Sequence, residues 1–507
     1  MPAASGTGVA GRALAWPALW RYLAALLAGA LLSCAFAPLK LWPLAIVCPA
    51  VLMWLWQGSS AREAAWSGFY FGAGTFGLGI WWLYISIHNV AQAPIVLALA
   101  LVLSLVGIMA AYHALLGYLS VRLFSPRGPW RTLIGLPALW LLIEWWRGWF
   151  LSGFPWLSLG YSQTDSPLAG FAPVGGVYAI SALLLLQSGA LLELLRGRGR
   201  AQWLAAALLL LPWLLGAALG RINWTHAAGA PISVAVLQGA VPQDLKWQEN
   251  NVEPTRQLYT SLDQQALGAQ LIVWPEAALP QLANEIPQYL GQLYSLARMH
   301  GSDIVMGILR VDENDNYFNS VLTLADRISF YDKHHLVPFS EYFPVPAFIR
   351  AWLRLMSLPY SDFTPGPAAQ PSVAAAGTRL SLSICYEDAY PSANLQVLAR
   401  ARVLVNVTND AWFGHSWARY QHFQIARMRA IEAQRPLLRA ANDGISALVG
   451  PRGQVLAQAV EFKPAVLRGA VQPRLGLPPF GRSGNWPVVV LCLVGVAIAA
   501  ALKRRSS

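Results

Sequence analysis

The stretch LSLSICYEDAYP, Leu380–Pro391, decides how the polar half of this chain is read. Its opening residues, Leu380–Ile384, predict a β-strand. At the end of that strand stands Cys385, followed at once by Tyr386, Glu387 and Asp388. The other three cysteines, Cys34, Cys48 and Cys492, lie in long apolar runs, so Cys385 has no partner for a disulfide and no zinc-type spacing. Two further stretches repeat the pattern of a β-rich run ending at a reactive side chain. LIVWPEAALP presents Glu276, and SFYDKHHLVPFSEYFP presents Lys333 and then Glu341. Strand ends are where rigid scaffolds offer chemistry to a ligand.

Around these stretches, residues 221–485 have the texture of an α/β domain. Strands are expected at Ile232–Leu237, Leu271–Trp274, Asp303–Leu309, Ser320–Leu324, Ile328–Tyr331, Leu380–Ile384, Val403–Val407 and Pro436–Ala440, then a hairpin across Pro451–Gly453. Helices are expected at Glu253–Leu267, Ile286–His300 and Trp417–Gln434. The rest of the chain differs. Overall 56% of residues are hydrophobic and only 12% charged, about half the charged share of a soluble protein. Eight apolar runs are read as membrane spans. They are Tyr22–Phe36, Leu41–Trp56, Ala65–Ile87, Ile95–Val121, Thr132–Phe150, Leu168–Leu195, Trp203–Leu219 and Trp486–Leu502. The third is rich in glycine (Gly68, Gly72, Gly74, Gly77, Gly79), which permits close helix packing in lipid. No cleavable signal peptide is expected.

The net charge of +12 does not point to nucleic acid, because the basic residues sit in short clusters between apolar runs. Arg12 and Arg21, Arg62, the Arg122–Arg131 group, Arg196–Arg200 and Lys503–Arg505 mark every second connection. The positive-inside rule then places both termini in the cytoplasm and the α/β domain outside. Within the spans, Glu144 and Arg147 are expected to pair one turn apart.

A thiol, a carboxylate and an ammonium suffice for acyl transfer: a nucleophile, a proton carrier and an oxyanion partner. Taken singly, each has a plainer reading. Cys385 is a small buried hydrophobe, Glu276 a turn acid, Lys333 a solvated lysine, and Glu341 and Glu387 surface acids or ion-pair partners of Lys333. Spacing alone leaves both readings open.

The three stretches WPEAALP, YDKHHLVPFSEYFP and CYEDAYP, in that order, resemble the Glu-Lys-Cys signature of the nitrilase superfamily, and NVTNDAWFG (Asn406–Gly414) resembles the segment after its nucleophile. GFPWLSLGYSQ (Gly153–Gln163) and QGAVPQDLKW (Gln238–Trp247) resemble the superfamily's membrane-embedded, lipoprotein-acylating branch, and the similarity covers nearly the whole chain. The resemblance implies a polytopic α-helical membrane domain of eight spans plus an α/β nitrilase-like αββα sandwich on the outer side. Spans 1–7 would occupy residues 1–220, the catalytic domain 221–485, and span 8 with a basic tail 486–507. It implies Cys385 as nucleophile, Glu276 as general base and acid, and Lys333 as oxyanion stabiliser. Glu341 and Glu387 would position Lys333 or shape the pocket. Tyr386 and Trp247 match positions of importance in that branch, and Trp412 is read as a mouth-lining or a core aromatic. The apolar stretch Phe339–Tyr360 is read as a loop at the membrane interface, or as a core helix over Ala347–Met356.

The implied reaction moves an acyl chain from a phospholipid donor, through a cysteine thioester, to the N-terminal amine of a diacylated apolipoprotein. It needs no metal or organic cofactor. A monomer in a bacterial inner membrane, with a periplasmic catalytic domain, is the implied setting. Two rivals remain at this level: a membrane-bound nitrilase-type amidase, and a transporter with an accessory outer domain.

Overall fold

The computed structural model describes residues 18–506 apart from 127, 198, 339, 343–362 and 394. A helix lies on each of the first seven apolar runs: α1 (Ala18–Ser33), α2 (Leu44–Leu55), α3 (Ala61–Gly79), α4 (Ile95–Leu123), α5 (Leu136–Arg147), α6 (Ala172–Arg196) and α7 (Arg200–Leu219). Ser60 caps α3 by accepting from the Glu63 amide, and Glu63 bonds back to Ser60. The fifth run is the most broken. A π turn (Arg131–Gly135) precedes α5, and its end passes into residues at positive φ, Leu151 and Ser152.

Length and apolarity suit only part of this set to crossing a bilayer. Among the described residues, Ile95–Leu123, Pro167–Arg196, Arg200–Leu219 and Trp486–Arg504 are long and apolar enough, whereas Leu19–Ser33 and Leu44–Leu55 are shorter apolar helices. Contacts at the helix ends follow a consistent sidedness. Arg21 pairs with Glu63 at 3.2 Å, Thr132 donates to Glu193 at 2.7 Å, and Lys503 donates to the Arg122 carbonyl at 2.6 Å. Toward the opposite ends, Lys40 pairs with Asp165 at 2.8 Å.

Between α7 and the last helix lie two six-stranded sheets. The first holds β1 (Ile232–Gln238), β2 (Leu271–Trp274), β3 (Asp303–Val311), β4 (Tyr317–Leu324) and β5 (Ser329–Asp332). The second holds β6 (Val373–Ala375), β7 (Thr378–Ile384), β8 (Val403–Thr408), β9 (Leu437–Ala441), β10 (Ala447–Val449) and β11 (Val455–Gln458). The chain then returns to the first sheet as β12 (Ala465–Val471), antiparallel to β1. In each sheet the central three strands are parallel: β1–β2–β3 and β7–β8–β9. Helices α8 (Glu249–Ala266), α9 (Pro287–Met299) and α10 (Ala418–Ala433) fill the crossovers, and α11 (Trp486–Ser506) closes the chain.

Strand alternation builds four layers. Val234, Val236, Leu271, Val273 and Val305 face Leu382, Ile384, Val405, Val407 and Leu438 across one core between the sheets. The intervening residues of the first sheet, among them Leu237, Ile272, Trp274 and Met306, pack on Tyr259, Leu262, Leu290 and Leu293 of α8 and α9. Leu404, Leu437 and Val449 of the second sheet pack on Phe423, Ala426 and Ala430 of α10. The expected strands and helices lie where the sequence places them to within a few residues. β6 and β12 were not anticipated. β12 reads AVLRGAV, and Arg468 and Gly469 hide its strand character in an edge position that tolerates them.

Candidate active site

Three strand ends converge. Glu276 follows β2, Lys333 follows β5, and Cys385 follows β7 directly. Lys333 Nζ lies 3.3 Å from Glu276 Oε1 and 2.8 Å from Glu341 Oε1, and the lysine is only 1% exposed. Asn319 on β4 completes the arrangement. Its Nδ2 donates to Glu276 Oε1 at 2.8 Å and to Glu341 Oε1 at 2.9 Å, while its backbone carbonyl accepts from the Lys333 backbone amide at 2.8 Å. Glu341 is anchored further by the Val337 amide at 2.8 Å. Burial alone would lower the Lys333 ammonium, but the Glu276, Glu341 and Cys385 charges overcome it and hold the group well above its ordinary value. Lys333 is therefore a fixed cation at every physiological pH.

Cys385 is buried and opens a 3₁₀ turn, Cys385–Ala389, at φ +50°. Burial pushes its thiol well above the ordinary value; the Glu276 carboxylate adds to that and Lys333 opposes it. At neutral pH the group is a thiol, so attack on a carbonyl needs a base beside it. Glu387 does not reach the Lys333 side chain. One of its oxygens accepts from the His334 and His335 amides at 2.7 and 3.2 Å, the other from the Ile384 amide at 2.8 Å and the Tyr331 hydroxyl at 3.0 Å. It thereby ties the residues after Lys333 to the residue before Cys385. The Tyr386 hydroxyl donates to the Gly153 carbonyl at 3.2 Å, and the Tyr390 hydroxyl to that of Ser152 at 2.7 Å.

Similarity to known proteins divides along the same lines as the fold. Residues 28–190 match the apolipoprotein N-acyltransferase N-terminal domain, and residues 233–476 match the carbon-nitrogen hydrolase domain. Proteins named apolipoprotein N-acyltransferase from Vibrio vulnificus, Methylococcus capsulatus and Pseudomonas putida are 38%, 40% and 40% identical to it. Each alignment covers 96% of this chain, and 98%, 97% and 97% of the respective relatives. The chain belongs to the apolipoprotein N-acyltransferase family. Among solved structures, the C. elegans NitFhit protein is similar over 48% of this chain and 61% of that one, at 22% identity and a TM-score of 0.38. A Nesterenkonia amidase of the nitrilase superfamily is similar over 52% of this chain and 97% of that one, at 18% identity and a TM-score of 0.38.

The remaining residues singled out in this N-acyltransferase family member sit less directly on the site. Trp247 is half-exposed and bonds none of the three central groups; its neighbour Lys246 is the one that points inward. Lys246 is fully buried, its Nζ 3.5 Å from the Glu276 carbonyl oxygen, and burial lowers it to about 8 against the pull of the Glu276 charge. The Trp412 carbonyl accepts from Ser86 at 2.7 Å, and the Phe413 ring meets Trp82 edge-on at 4.8 Å, which joins this segment to the helical half.

Glu144 and Arg147 do not pair as expected. Glu144 accepts from Ser181 at 2.6 Å and from the Leu159 amide at 3.2 Å, and Arg147 donates to the Phe154 and Trp156 carbonyls at 2.6 and 2.7 Å. The broken loop after α5 offers unsatisfied backbone groups, and these outcompete a one-turn ion pair. The stretch Phe339–Tyr360, with its alternative helix Ala347–Met356, lies outside the described residues except for Ser340, Glu341 and Tyr342. Asn319 was missed because YFNSVLTL reads as an ordinary strand with one polar residue; the signal was a buried amide in the strand next to Lys333.

Proposed function

We propose that this chain N-acylates lipoproteins by a two-step transfer through Cys385. Cys385 Sγ attacks the sn-1 ester carbonyl of a phospholipid, and its proton passes to Glu276. Lys333, with the backbone N–H of Tyr386, faces the oxyanion that forms; one such donor is worth about 3–4 kcal/mol. Collapse breaks the ester C–O bond, Glu276 returns the proton to the departing oxygen, and lysophospholipid leaves a thioester behind. The α-amine of an S-diacylglyceryl-cysteine then attacks the thioester, Glu276 takes a proton from the amine and returns one to sulfur, and an amide results. Glu341 and Asn319 hold Lys333 and Glu276 in register, and Glu387 holds the Lys333 segment against the Cys385 turn. Trp247, Tyr386 and Trp412 border the path to these groups.

The observation that carries this reading is a buried ammonium shared by two carboxylates, at 3.3 and 2.8 Å, with its charge bearing on a buried thiol. An inert core cysteine has no need of that surrounding. We read the chain as eight spans, with residues 1–220 and 486–507 in the bacterial inner membrane, residues 221–485 periplasmic, and the working form a monomer. The sidedness of the helix-end contacts and the alternating basic connections support that topology. The shorter helices reach across with their flanking turns, or where the bilayer thins around them.

Intact-protein mass spectrometry tests the chemistry. Incubation with phosphatidylethanolamine alone is expected to add one acyl mass to Cys385, and a diacylated lipopeptide is expected to discharge it as N-acylated product. Turnover without any such adduct, or with Cys385→Ala, would overturn the scheme.

A further inference from the structure

The turn that carries Cys385 rests on four buried charged groups drawn from four segments. His422 lies on α10, Asp388 in the Cys385 turn, Asp410 just after β8, and Arg439 on β9; none is more than 4% exposed. Arg439 donates to Asp388 Oδ2 at 3.2 Å, Asn406 Oδ1 at 2.6 Å and Asp410 Oδ2 at 3.0 Å. His422 Nδ1 lies 2.9 Å from Asp410 Oδ1, and Nε2 lies 3.1 Å from Asp388 Oδ1 and 3.2 Å from the carbonyl oxygen of Cys385. Nε2 faces acceptors, so it carries a hydrogen. Nδ1 faces the Asp410 oxygen on one side and Arg439 Nη2, at 3.0 Å, on the other. With both ring nitrogens protonated, two cations meet two carboxylates and the cluster is neutral. A neutral imidazole would leave an unbalanced buried negative charge, which is costly.

What this cluster delivers to the nucleophile is a grip on its backbone. A residue with a β-carbon holds φ +50° only where its surroundings impose it. Here the Cys385 carbonyl is gripped from two sides, by Asn406 Nδ2 at 3.3 Å and His422 Nε2 at 3.2 Å. The orientation of that peptide sets the direction of Cα–Cβ, and so where Sγ points.

We propose that His422 is a positioning residue for the acyl transfer: as an imidazolium clamped by Asp388 and Asp410, it pins the Cys385 carbonyl and thereby aims the thiol. The proposal rests on Cys385 being the acylated nucleophile. Burial alone would lower the His422 imidazolium, but the Asp388 and Asp410 charges outweigh both burial and the opposing Arg439, and lift it to about 9. The other faces of the ring meet Trp156 and Phe413, which do not titrate. The imidazolium is present through neutral pH; as pH rises through about 9 the ring gives up its Nδ1 proton, the Asp410 contact turns repulsive, and the hold on the Cys385 carbonyl loosens.

The test uses the full chain in detergent with phosphatidylethanolamine, timing thioester formation on Cys385 by mass spectrometry across pH. The wild-type rate falls above about pH 9. His422→Gln keeps a donor near the Nε2 position but cannot become a cation; it is expected to form thioester about 10-fold slower and without the alkaline fall. His422→Asn reaches only toward Asp410 and is expected to be about 100-fold slower. Asp388→Asn reads the same clamp independently, should the His422 variants not fold: losing one carboxylate moves the alkaline fall to lower pH. Wild-type rates in both His422 variants, or an alkaline fall unmoved in Asp388→Asn, overturn the positioning role. Absence of any thioester in the wild type overturns instead the assignment of Cys385, and this proposal with it.

Discussion

At Lys333 one ammonium serves two carboxylates. Lys333→Met leaves Glu341 without its cation and Glu276 with only Lys246 nearby. Breaking a buried pair from one side costs on the order of 3–5 kcal/mol, so the variant should unfold at lower temperature as well as fail to form thioester. Thermal unfolding of the variant beside the wild type checks it. Lys246 carries a second prediction with a definite sign. Its amine is lowered by burial to about 8, so above that pH the folded chain binds fewer protons there than the unfolded chain does. The Lys246 contribution to stability therefore rises with pH from about 8 toward the ordinary lysine range. The lowering is worth about 3 kcal/mol. Lys246→Met should flatten that rise, raising the melting temperature more at pH 7 than at about pH 9.5. Neither Lys246 nor His422 stood out in the sequence. QDLKW and RYQHFQ read as ordinary helical text, and nothing local marks a residue whose partners lie 12 to 37 positions away, on other elements.

At the scale of elements, apolar periodicity and turn residues were enough for most strands. LIVW and LVNV are buried on both faces and announce themselves as central parallel strands. Span counting fared less well. A run of apolar residues states that a segment is buried, not that it is one unbroken helix, and the fifth run dissolves into a π turn, a short helix and a loop. The glycines of α3 show how finely the packing discriminates. A β-carbon on Gly74 would stand 2.1 Å from the Leu26 carbonyl oxygen, and one on Gly68 2.2 Å from that of His113, whereas Gly77 faces open space. Gly74→Ala must push two helix backbones apart and is expected to cost about 1–3 kcal/mol, while Gly77→Ala should be tolerated. Melting of the two variants side by side in detergent would show the contrast; equal melting temperatures would mean that α1 and α3 do not approach this closely.

For the whole molecule, the topology read from Arg and Lys clusters has a direct check. Val460 is exposed, in the loop between β11 and β12. A Val460→Cys variant should react with a membrane-impermeant maleimide in intact spheroplasts, and a tag placed after Ser507 should be reached only once the membrane is opened. Labelling with the reverse pattern would invert the molecule. The two halves also meet through specific polar bonds. Gln421 of α10 accepts from Trp156 at 2.7 Å and Trp82 at 3.2 Å, Gln424 accepts from the Ala37 amide at 3.1 Å, and Glu432 from the Val177 amide at 2.8 Å. Next to Cys385, Tyr386 and Tyr390 lean on carbonyls that belong to the loop after α5. Cutting residues 221–485 free would strand those hydroxyls and glutamines against water in place of their partners. A water-soluble version of this enzyme is therefore not obtained by trimming; whoever wants one must rebuild the floor on which the Cys385 turn stands.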